Sequence, residues 1–263
     1  MAYGNILADV SNFTVSTADG IRQELKNNFI SKIAIKLLGI PHIGLRVRAR
    51  LILKLLNPDK NDTILDAGCG PGICLLTLSK RIDRGYGVDI DGLKISEATR
   101  LTRELAISNI IFNVSDVTNL DFPVEFFDKI ICSEVMEHVK DDKALVRGLF
   151  KILKKQGTLI ISSTSLAQIN QRHKDEFGHE RVGYSAEQLK QLFTDSGFCI
   201  EQIFPYGLFF GQKSWRINRM FLSRKFINAL CFYPLFVIAQ LDNFLPYNLR
   251  SNCIGYIVKL RKE

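Results

Sequence analysis

The amino-acid sequence predicts a doubly wound α/β fold built around a parallel β-sheet. Between residues 63 and 163, short apolar runs alternate with helix-length segments, and this alternation is typical of parallel strands joined by helices. The first run leads into three glycines, and each of the next two runs ends in an aspartate. Ligands of such sheets bind beyond the carboxyl ends of the strands. These glycines and aspartates therefore mark the predicted functional site.

The N-terminal part precedes this alternation. Residues 1–18 are polar and show no clear period, so we expect a poorly ordered start. Residues 19–57 show two helical patterns, separated by a break at residues 39–42. In the second pattern Ile52 and Leu56 repeat at helical spacing beside a face that carries basic residues. We predict an N-terminal helical cap over residues 19–57.

A glycine-rich turn follows the first apolar run. Glycine lacks Cβ, so Gly68, Gly70 and Gly72 allow the backbone to turn sharply and to approach a ligand closely. A dinucleotide-binding turn needs a third glycine where this chain has Ile73. The carboxylate of Asp66, just before the turn, also favours a positive group over a pyrophosphate. The spacing therefore argues against a dinucleotide.

The next two strands end in acids. Asp89 closes the run at 86–90 and lies 23 positions after Asp66, close to the spacing of about 20 residues at which an acid reaches ribose hydroxyls. The run at 110–115 leads into Asp116. Three acids at successive strand ends predict one ligand that contacts all three strands.

Further elements complete the alternation. We predict a helix within 91–108 with Leu93, Ala98, Leu101 and Leu105 facing inward, and a helix at 141–155. Strands are predicted at 127–135, 157–163, 199–206 and 254–260.

The D-x-G-x-G-x-G pattern and the strand-terminal acids resemble the class I S-adenosyl-L-methionine-dependent methyltransferases, including the ubiquinone-biosynthesis O-methyltransferase type. The resemblance covers residues 63–206 and the final strand. It implies a Rossmann-like, mostly parallel seven-stranded sheet whose last two strands form an antiparallel pair. It also implies S-adenosyl-L-methionine as the cofactor and a lid role for the N-terminal cap, although simple packing of that cap against the sheet is an equal alternative. The implied cofactor-binding residues are Asp66, Gly68, Cys69, Gly70, Gly72, Asp89, Ile90, Asp116, Val117 and Ser133.

The segment after the fourth strand reads E-x-x-E-H, with Glu134, Glu137 and His138. This pattern is similar to that of family members in which two glutamates and a histidine bind a divalent cation. The same E-H ending also occurs in members without a metal, where the histidine is structural or lines the site. We do not favour a divalent metal, and these three residues are its candidate ligands.

Histidines are the candidate catalytic bases. Methyl transfer to a hydroxyl acceptor benefits from a base, and histidine titrates near neutral pH. His138 is the first candidate and His179, in a polar loop at 171–184, is the second. Each could instead be a surface or structural residue.

An insert separates the last two strands, where the resembled family has a short turn. It carries Lys213, Arg216 and Arg219, followed by many aromatic and aliphatic residues. Such a mixture is typical of a segment that lies on an anionic membrane surface. Packing on the sheet and a dimer contact are the alternatives. The predicted organisation is thus a start at 1–18, a cap at 19–57, a core at 58–207, a basic and apolar insert at 208–250 and a last strand at 251–263.

Composition limits the partners and the compartment. The chain has 263 residues and a formal net charge of +8, with nine basic and two acidic residues in each of the stretches 22–60 and 208–263. These stretches indicate an anionic partner, or simply solvated helix faces. No aromatic RNA-stacking motif is recognisable, so no specific nucleic acid is predicted. Cys69, Cys132 and Cys199 lie in or beside apolar runs, which predicts buried thiols in a reducing compartment.

The resemblance, taken with the composition, implies a cytoplasmic O-methyltransferase, with peripheral attachment to the inner face of a membrane as a further hypothesis. Its acceptor would be a small or lipid-linked molecule, such as a quinone precursor, a lipid or a lipid-linked sugar. The alternatives are a sugar methyltransferase for a polysaccharide or natural product, and a catalytically silent scaffold that binds S-adenosylmethionine. The oligomeric state is not predicted.

Overall fold

The computed structural model describes residues 43–166, 180–221, 225–245 and 252–263. The chain divides into two compact units. One, the sheet unit, contains Leu51–Tyr206 and Cys253–Glu263. The other, the helical unit, has its described residues within 43–50 and 207–252. The predictions for residues 1–18, and for most of the N-terminal cap, concern residues outside the described ranges.

The sheet unit is built on one seven-stranded sheet with the order β3-β2-β1-β4-β5-β7-β6. Strand β7 is antiparallel to both of its neighbours, and the other paired strands are parallel. The predicted doubly wound, mostly parallel sheet with an antiparallel last pair is therefore confirmed. The strands are β1 Thr63–Ala67, β2 Arg84–Asp89, β3 Ile110–Val114, β4 Phe127–Ser133, β5 Leu153–Thr164, β6 Phe198–Tyr206 and β7 Gly255–Lys262.

Most helices of the described residues alternate with these strands, although no α-helix separates β3 from β4 and two successive helices precede β7. They are α1 Ile43–Leu56, α2 Ile73–Leu78, α3 Gly92–Glu104, α4 Asp142–Ile152, α5 Ala186–Asp195, α6 Phe209–Met220 and α7 Lys225–Gln240, with 3-10 turns at Ser79–Arg81, Met136–His138 and Leu241–Phe244. Side-chain caps fix where several helices begin. The Asp91 carboxylate accepts from the first amides of α3, and Ser185 and Gln188 form a capping box on α5.

The core lies between the sheet and its helices, and the inward faces are mostly as predicted. Leu93 is an exception, because its side chain is 78% exposed. The buried stripe of α3 contains Ile95, Ala98 and Leu101, and at 100° per residue Leu93 lies on the opposite face from Ile95. The prediction that Cys199 is buried was also wrong. It follows the buried Phe198 on the edge strand β6, so its side chain points to the other face.

The insert before the last strand contains two helices, α6 and α7, which lie between β6 and β7. Within the described residues, no helix combines the length and the apolar character needed to cross a membrane.

Candidate functional site

The three predicted acids lie at one rim of the sheet. In the paired strands Ala67 is opposite Val88, and Asp89 is opposite Val114, so β1, β2 and β3 end at the same edge. Asp66 is the fourth residue of β1, and Asp116 follows the end of β3 by two positions. Burial, and secondly the charge of Asp89, raise the pKa of Asp66.

Asp89 organises this rim. One oxygen of its carboxylate accepts a hydrogen bond from the Gly70 amide (2.8 Å), and the other accepts from the Asp91 amide (2.9 Å). Its backbone carbonyl accepts from the Ser115 amide at 3.1 Å. Asp89 thus links the glycine turn to the N-terminus of α3 and to the end of β3. A carboxylate has about four lone-pair sites, so acceptor capacity remains for a ligand.

The three glycines of the turn all adopt left-handed backbone conformations, with φ between 54° and 79°. A Cβ on Gly68 would come 2.2 Å from the Val135 side chain, and one on Gly72 would come 2.3 Å from the Phe112 ring. A Cβ on Gly70 would meet only the Lys94 side chain, at 3.9 Å. Gly68 and Gly72 are therefore needed for packing, whereas Gly70 leaves room for a ligand against the backbone.

Asp66 is an acid that is buried beside the glycine turn. Its side chain is 3% exposed. Burial, and secondly the nearby Asp89 charge, raise its pKa from 3.8 to about 7. A cationic group beside Asp66 would reverse this effect. The ammonium group of the methionine part of S-adenosylmethionine has the required charge, so the residues present fit that cofactor.

The far side of the rim combines a polar and an apolar group. One oxygen of the exposed Asp116 carboxylate accepts from the backbone amide and the hydroxyl of Thr118, both at 2.8 Å. Ile90 is 73% exposed, so it offers an apolar surface to a flat ring. Val117 is largely buried in the main core cluster, and little of its side chain is left to contact a ligand. That Ile90 and Val117 pack on adenine stays a prediction.

Cys69 lies inside the turn. It is buried, and its amide donates to the Val88 carbonyl at 2.9 Å, as does the Gly68 amide at 2.8 Å. The Gly72 amide donates back to the Cys69 carbonyl at 3.0 Å. These bonds hold the turn against β2, so Cys69 shapes the backbone of the candidate cofactor site.

A second polar network spans the ends of β4, β5 and β6. The hydroxyl oxygens of Ser133 and Ser162 are 2.8 Å apart. One Glu134 carboxylate oxygen accepts from the Ser162 hydroxyl and from the Tyr206 hydroxyl, both at 3.1 Å. Glu134 also has a left-handed φ of 57°, which is uncommon for a residue other than glycine. Strain of this kind often marks functional sites.

Sequence reasoning missed Tyr206 and Ser162 as members of this site. The available signal was their position near the carboxyl ends of predicted strands. Tyr206 also depends on Gly255, because a Cβ there would lie 2.8 Å from the tyrosine hydroxyl. Strand order decides which strand ends are neighbours, and periodicity alone does not give that order.

The structure does not bring Glu134, Glu137 and His138 together as metal ligands. Glu134 contacts Ser162, whereas the buried Glu137 accepts from the Ser163 hydroxyl at 3.1 Å. Successive residues of a strand point to opposite faces, so the two glutamates are held on different sides of β5. His138 is exposed at the end of its 3-10 turn. Among the residues that the structure describes, no group of three His, Cys, Asp or Glu side chains could hold a metal ion.

The turn that carries His138 is fixed by Arg181. This side chain donates to the carbonyls of Val139 (2.7 Å) and Lys140 (2.9 Å) and forms an ion pair with Asp142. The Tyr184 hydroxyl donates to the same Asp142 carboxylate at 2.9 Å. These contacts fix the backbone immediately after His138. The other predicted base, His179, lies outside the described residues.

Residues 58–207 match a family described as a methyltransferase domain. The mouse mitochondrial ubiquinone biosynthesis O-methyltransferase is 24% identical over 172 residues, which cover 59% of this chain and 46% of that protein. Phosphoethanolamine N-methyltransferase 1 of Arabidopsis thaliana is 29% identical over 166 residues, which cover 59% of this chain and 32% of that protein. The chain thus spans 46% and 32% of the length of these two relatives.

One solved structure illustrates the similarity of fold. It is the geranyl diphosphate C-methyltransferase from Streptomyces coelicolor A3(2), in complex with Mg²⁺, geranyl diphosphate and S-adenosyl-L-homocysteine. The TM-score is 0.65 at 15% sequence identity, and the match covers 97% of this chain and 88% of that one. At this identity the likeness shows the fold alone.

Proposed function

The chain belongs to the methyltransferase-domain family, and on that premise we propose that it is a class I S-adenosylmethionine-dependent methyltransferase. The observation that carries this proposal is the shared rim of Asp66, Asp89 and Asp116 around a turn whose central glycine leaves open space. When bound, the cofactor supplies a sulfonium methyl group for transfer to a nucleophile.

Each acid has a distinct part in cofactor binding. Asp66 pairs with the ammonium group, because a neighbouring cation would stabilise the charged form of its buried carboxylate. Asp89 accepts from the ribose hydroxyls while it holds the turn through the Gly70 amide. Asp116 accepts from the adenine amino group, with Ile90 beside the ring. The chain's own groups thus bind and orient the cofactor.

The acceptor atom is an oxygen of a small or membrane-associated molecule. The similar proteins include enzymes named as O-, N- and C-methyltransferases. Their names therefore do not identify the acceptor atom of this chain. Support for oxygen comes from the network of Glu134, Ser162 and Tyr206, whose carboxylate and hydroxyl groups are suited to bind an acceptor hydroxyl. His138, with His179 as the second candidate, takes the proton that the hydroxyl loses.

Calorimetric titration with S-adenosylmethionine tests the cofactor site. Asp89→Ala removes both a ligand group and the bond to the Gly70 amide, so we expect at least a roughly hundredfold loss of affinity. Asp83→Ala is the matched control, because Asp83 is an exposed acid immediately before β2 and Asp89 ends the same strand. Equal affinity in the two variants would remove the assignment.

Incubation of the protein with labelled cofactor and cell extract, with and without a chelator, tests turnover. We expect a labelled oxygen-methylated product, and cofactor binding without any product would instead indicate a silent scaffold. A product that forms without chelator and disappears with it would show that a metal takes part.

A further inference from the structure

Helix α6 is oriented with its apolar and cationic side chains outward. Its buried residues are small or polar, namely Gly211, Ser214 and Asn218. Phe209, Lys213, Arg216, Ile217 and Met220 are exposed, and their spacing places them on one stripe of the helix. A helix that packs on a soluble core normally shows the reverse arrangement. We call these five residues the α6 stripe.

Specific bonds fix this orientation. The buried Asp242 carboxylate accepts from the backbone amides of Leu208 (2.7 Å), Phe210 (2.8 Å) and Gly211 (3.0 Å), at the start of α6. The Asn218 side-chain oxygen accepts from the Ile43 amide at 3.2 Å. Rotation of α6 to bury the stripe would break all four bonds, each worth about 1 kcal/mol or more.

A second apolar surface lies on α7 and the 3-10 turn that follows it. Phe232, Leu235 and Ala239 are buried with Ile43 in a small core of the helical unit. The outward positions are also apolar, because Tyr233, Val237, Ile238, Leu241 and Phe244 are all exposed, the last by 84%. The described part of the helical unit therefore exposes many large apolar side chains, and such surfaces often mark sites of interaction with a protein or a membrane.

The charge of the insert selects the kind of partner. Residues 208–252 contain six basic side chains and one acid, and that acid, Asp242, is buried against amides. On α6 the Lys213 ammonium lies 4.2 Å from the centre of the Phe209 ring. Cations mixed among exposed apolar groups, with no exposed acid in α6 or α7, fit an anionic lipid surface. The centre of a protein interface is usually depleted of charge.

We propose that the α6 stripe, with the exposed apolar residues of α7 and its following turn, docks on the surface of a bilayer that contains anionic phospholipid. Apolar side chains enter the boundary between headgroups and acyl chains, and Lys213 and Arg216 contact phosphate groups. This docking goes beyond the methyl-transfer reaction and does not depend on it. It would give the enzyme access to an acceptor that resides in the membrane.

Flotation of the full chain with vesicles tests the proposal. Binding is expected to vesicles of phosphatidylcholine mixed with phosphatidylglycerol, and to be much weaker with phosphatidylcholine alone. The double change Lys213→Glu and Arg216→Glu should lower binding to the mixed vesicles at least roughly tenfold. The control, Lys151→Glu with Lys155→Glu, makes the same charge change at exposed positions of the sheet unit and should bind as the original protein does.

Two further variants separate apolar insertion from charge attraction and from self-association. Met220→Ser and Phe244→Ser keep every charge but should each weaken binding to the mixed vesicles. Equal binding to both vesicle types, or equal loss in the control, would overturn the proposal. So would a dimer in light scattering that Met220→Ser converts to a monomer, because the surface would then be an interface between copies. Calorimetry with S-adenosylmethionine shows separately whether each variant keeps its cofactor site.

Discussion

Two aspartates at neighbouring strand ends have very different surroundings. Asp89 accepts hydrogen bonds from two backbone amides, so it links the glycine turn to the start of α3 and is also a candidate cofactor ligand. Asp66 is buried beside it, and its pKa is raised to about 7. The cofactor-free protein therefore keeps a group whose charged form is destabilising until a cation arrives.

Asp66→Asn should stabilise the cofactor-free protein at alkaline pH and weaken cofactor binding. The folded protein retains the Asp66 proton up to about pH 7, whereas the unfolded chain releases it near 3.8. Stability therefore falls as pH rises through that interval, by roughly 4 kcal/mol at most. The asparagine variant lacks this loss. Thermal unfolding should show a higher melting temperature than the original protein at pH 8, with a smaller difference at pH 5.

The control for this prediction is Asp83→Asn, an exposed acid outside the site. A melting temperature at pH 8 that is the same in Asp66→Asn and Asp83→Asn would contradict the buried-charge account. For the original protein, affinity for S-adenosylmethionine should fall as pH drops below about 7, because only the ionised Asp66 attracts the ammonium group.

Two glycines of the same turn have different roles. Gly72 is needed for close packing, whereas Gly70 borders open space that a ligand could fill. Gly72→Ala places a methyl group 2.3 Å from the Phe112 ring in a left-handed conformation, so the free energy of unfolding should fall by about 2–4 kcal/mol. Gly70→Ala has only the conformational cost, about 1 kcal/mol. However, its methyl group enters the open space of the turn, so Gly70→Ala should lose cofactor affinity while it stays folded.

Urea unfolding and calorimetry on the two glycine variants give the test. Unchanged affinity of Gly70→Ala for S-adenosylmethionine would rule out ligand space at this glycine. A Gly72→Ala variant that is no less stable than Gly70→Ala would rule out the packing role of Gly72.

The start of α6 depends on an acid that is distant in sequence. Asp242→Ala removes the carboxylate that accepts hydrogen bonds from three backbone amides, and two of these bonds are buried. The free energy of the local opening that exposes these amides to exchange should therefore drop by about 1–3 kcal/mol. Hydrogen exchange at Leu208, Phe210 and Gly211 measures this change. Unchanged protection at these amides, with Asp121→Ala as the exposed control, would show that Asp242 does not hold the helix.

For the whole molecule, hydrophobic periodicity and turn residues were enough to predict the order of most strands and helices and the position of the glycine turn. Local sequence patterns mark the glycine turn, the acids at 66, 89 and 116 and the individual strands. The observed sheet contains these strands in a mostly parallel arrangement. The predicted inward face of α3 was partly wrong, because Leu93 lies on the opposite side of the helix from Ile95 and outside the buried stripe.

The proposed acceptor site depends on information that no local sequence pattern contains. Glu134 meets Tyr206 across 72 residues only because β4, β5 and β6 share one rim. The E-x-x-E-H pattern suggested a convergent ligand set, yet the pairing of Glu134 and Glu137 with successive serines of β5 separates them. The outward orientation of α6 likewise follows from Asp242 and Asn218, whose bonding partners lie far away in sequence.

We propose that three strand-terminal acids hold one sulfonium nucleoside. The decisive experiment is a crystal structure of the full chain grown with S-adenosyl-L-homocysteine, the demethylated form of the cofactor. We expect the amino group at Asp66, the ribose hydroxyls at Asp89 and the adenine amino group at Asp116. Density for the nucleoside at any other place, with the rim of β1, β2 and β3 left to solvent, would contradict it.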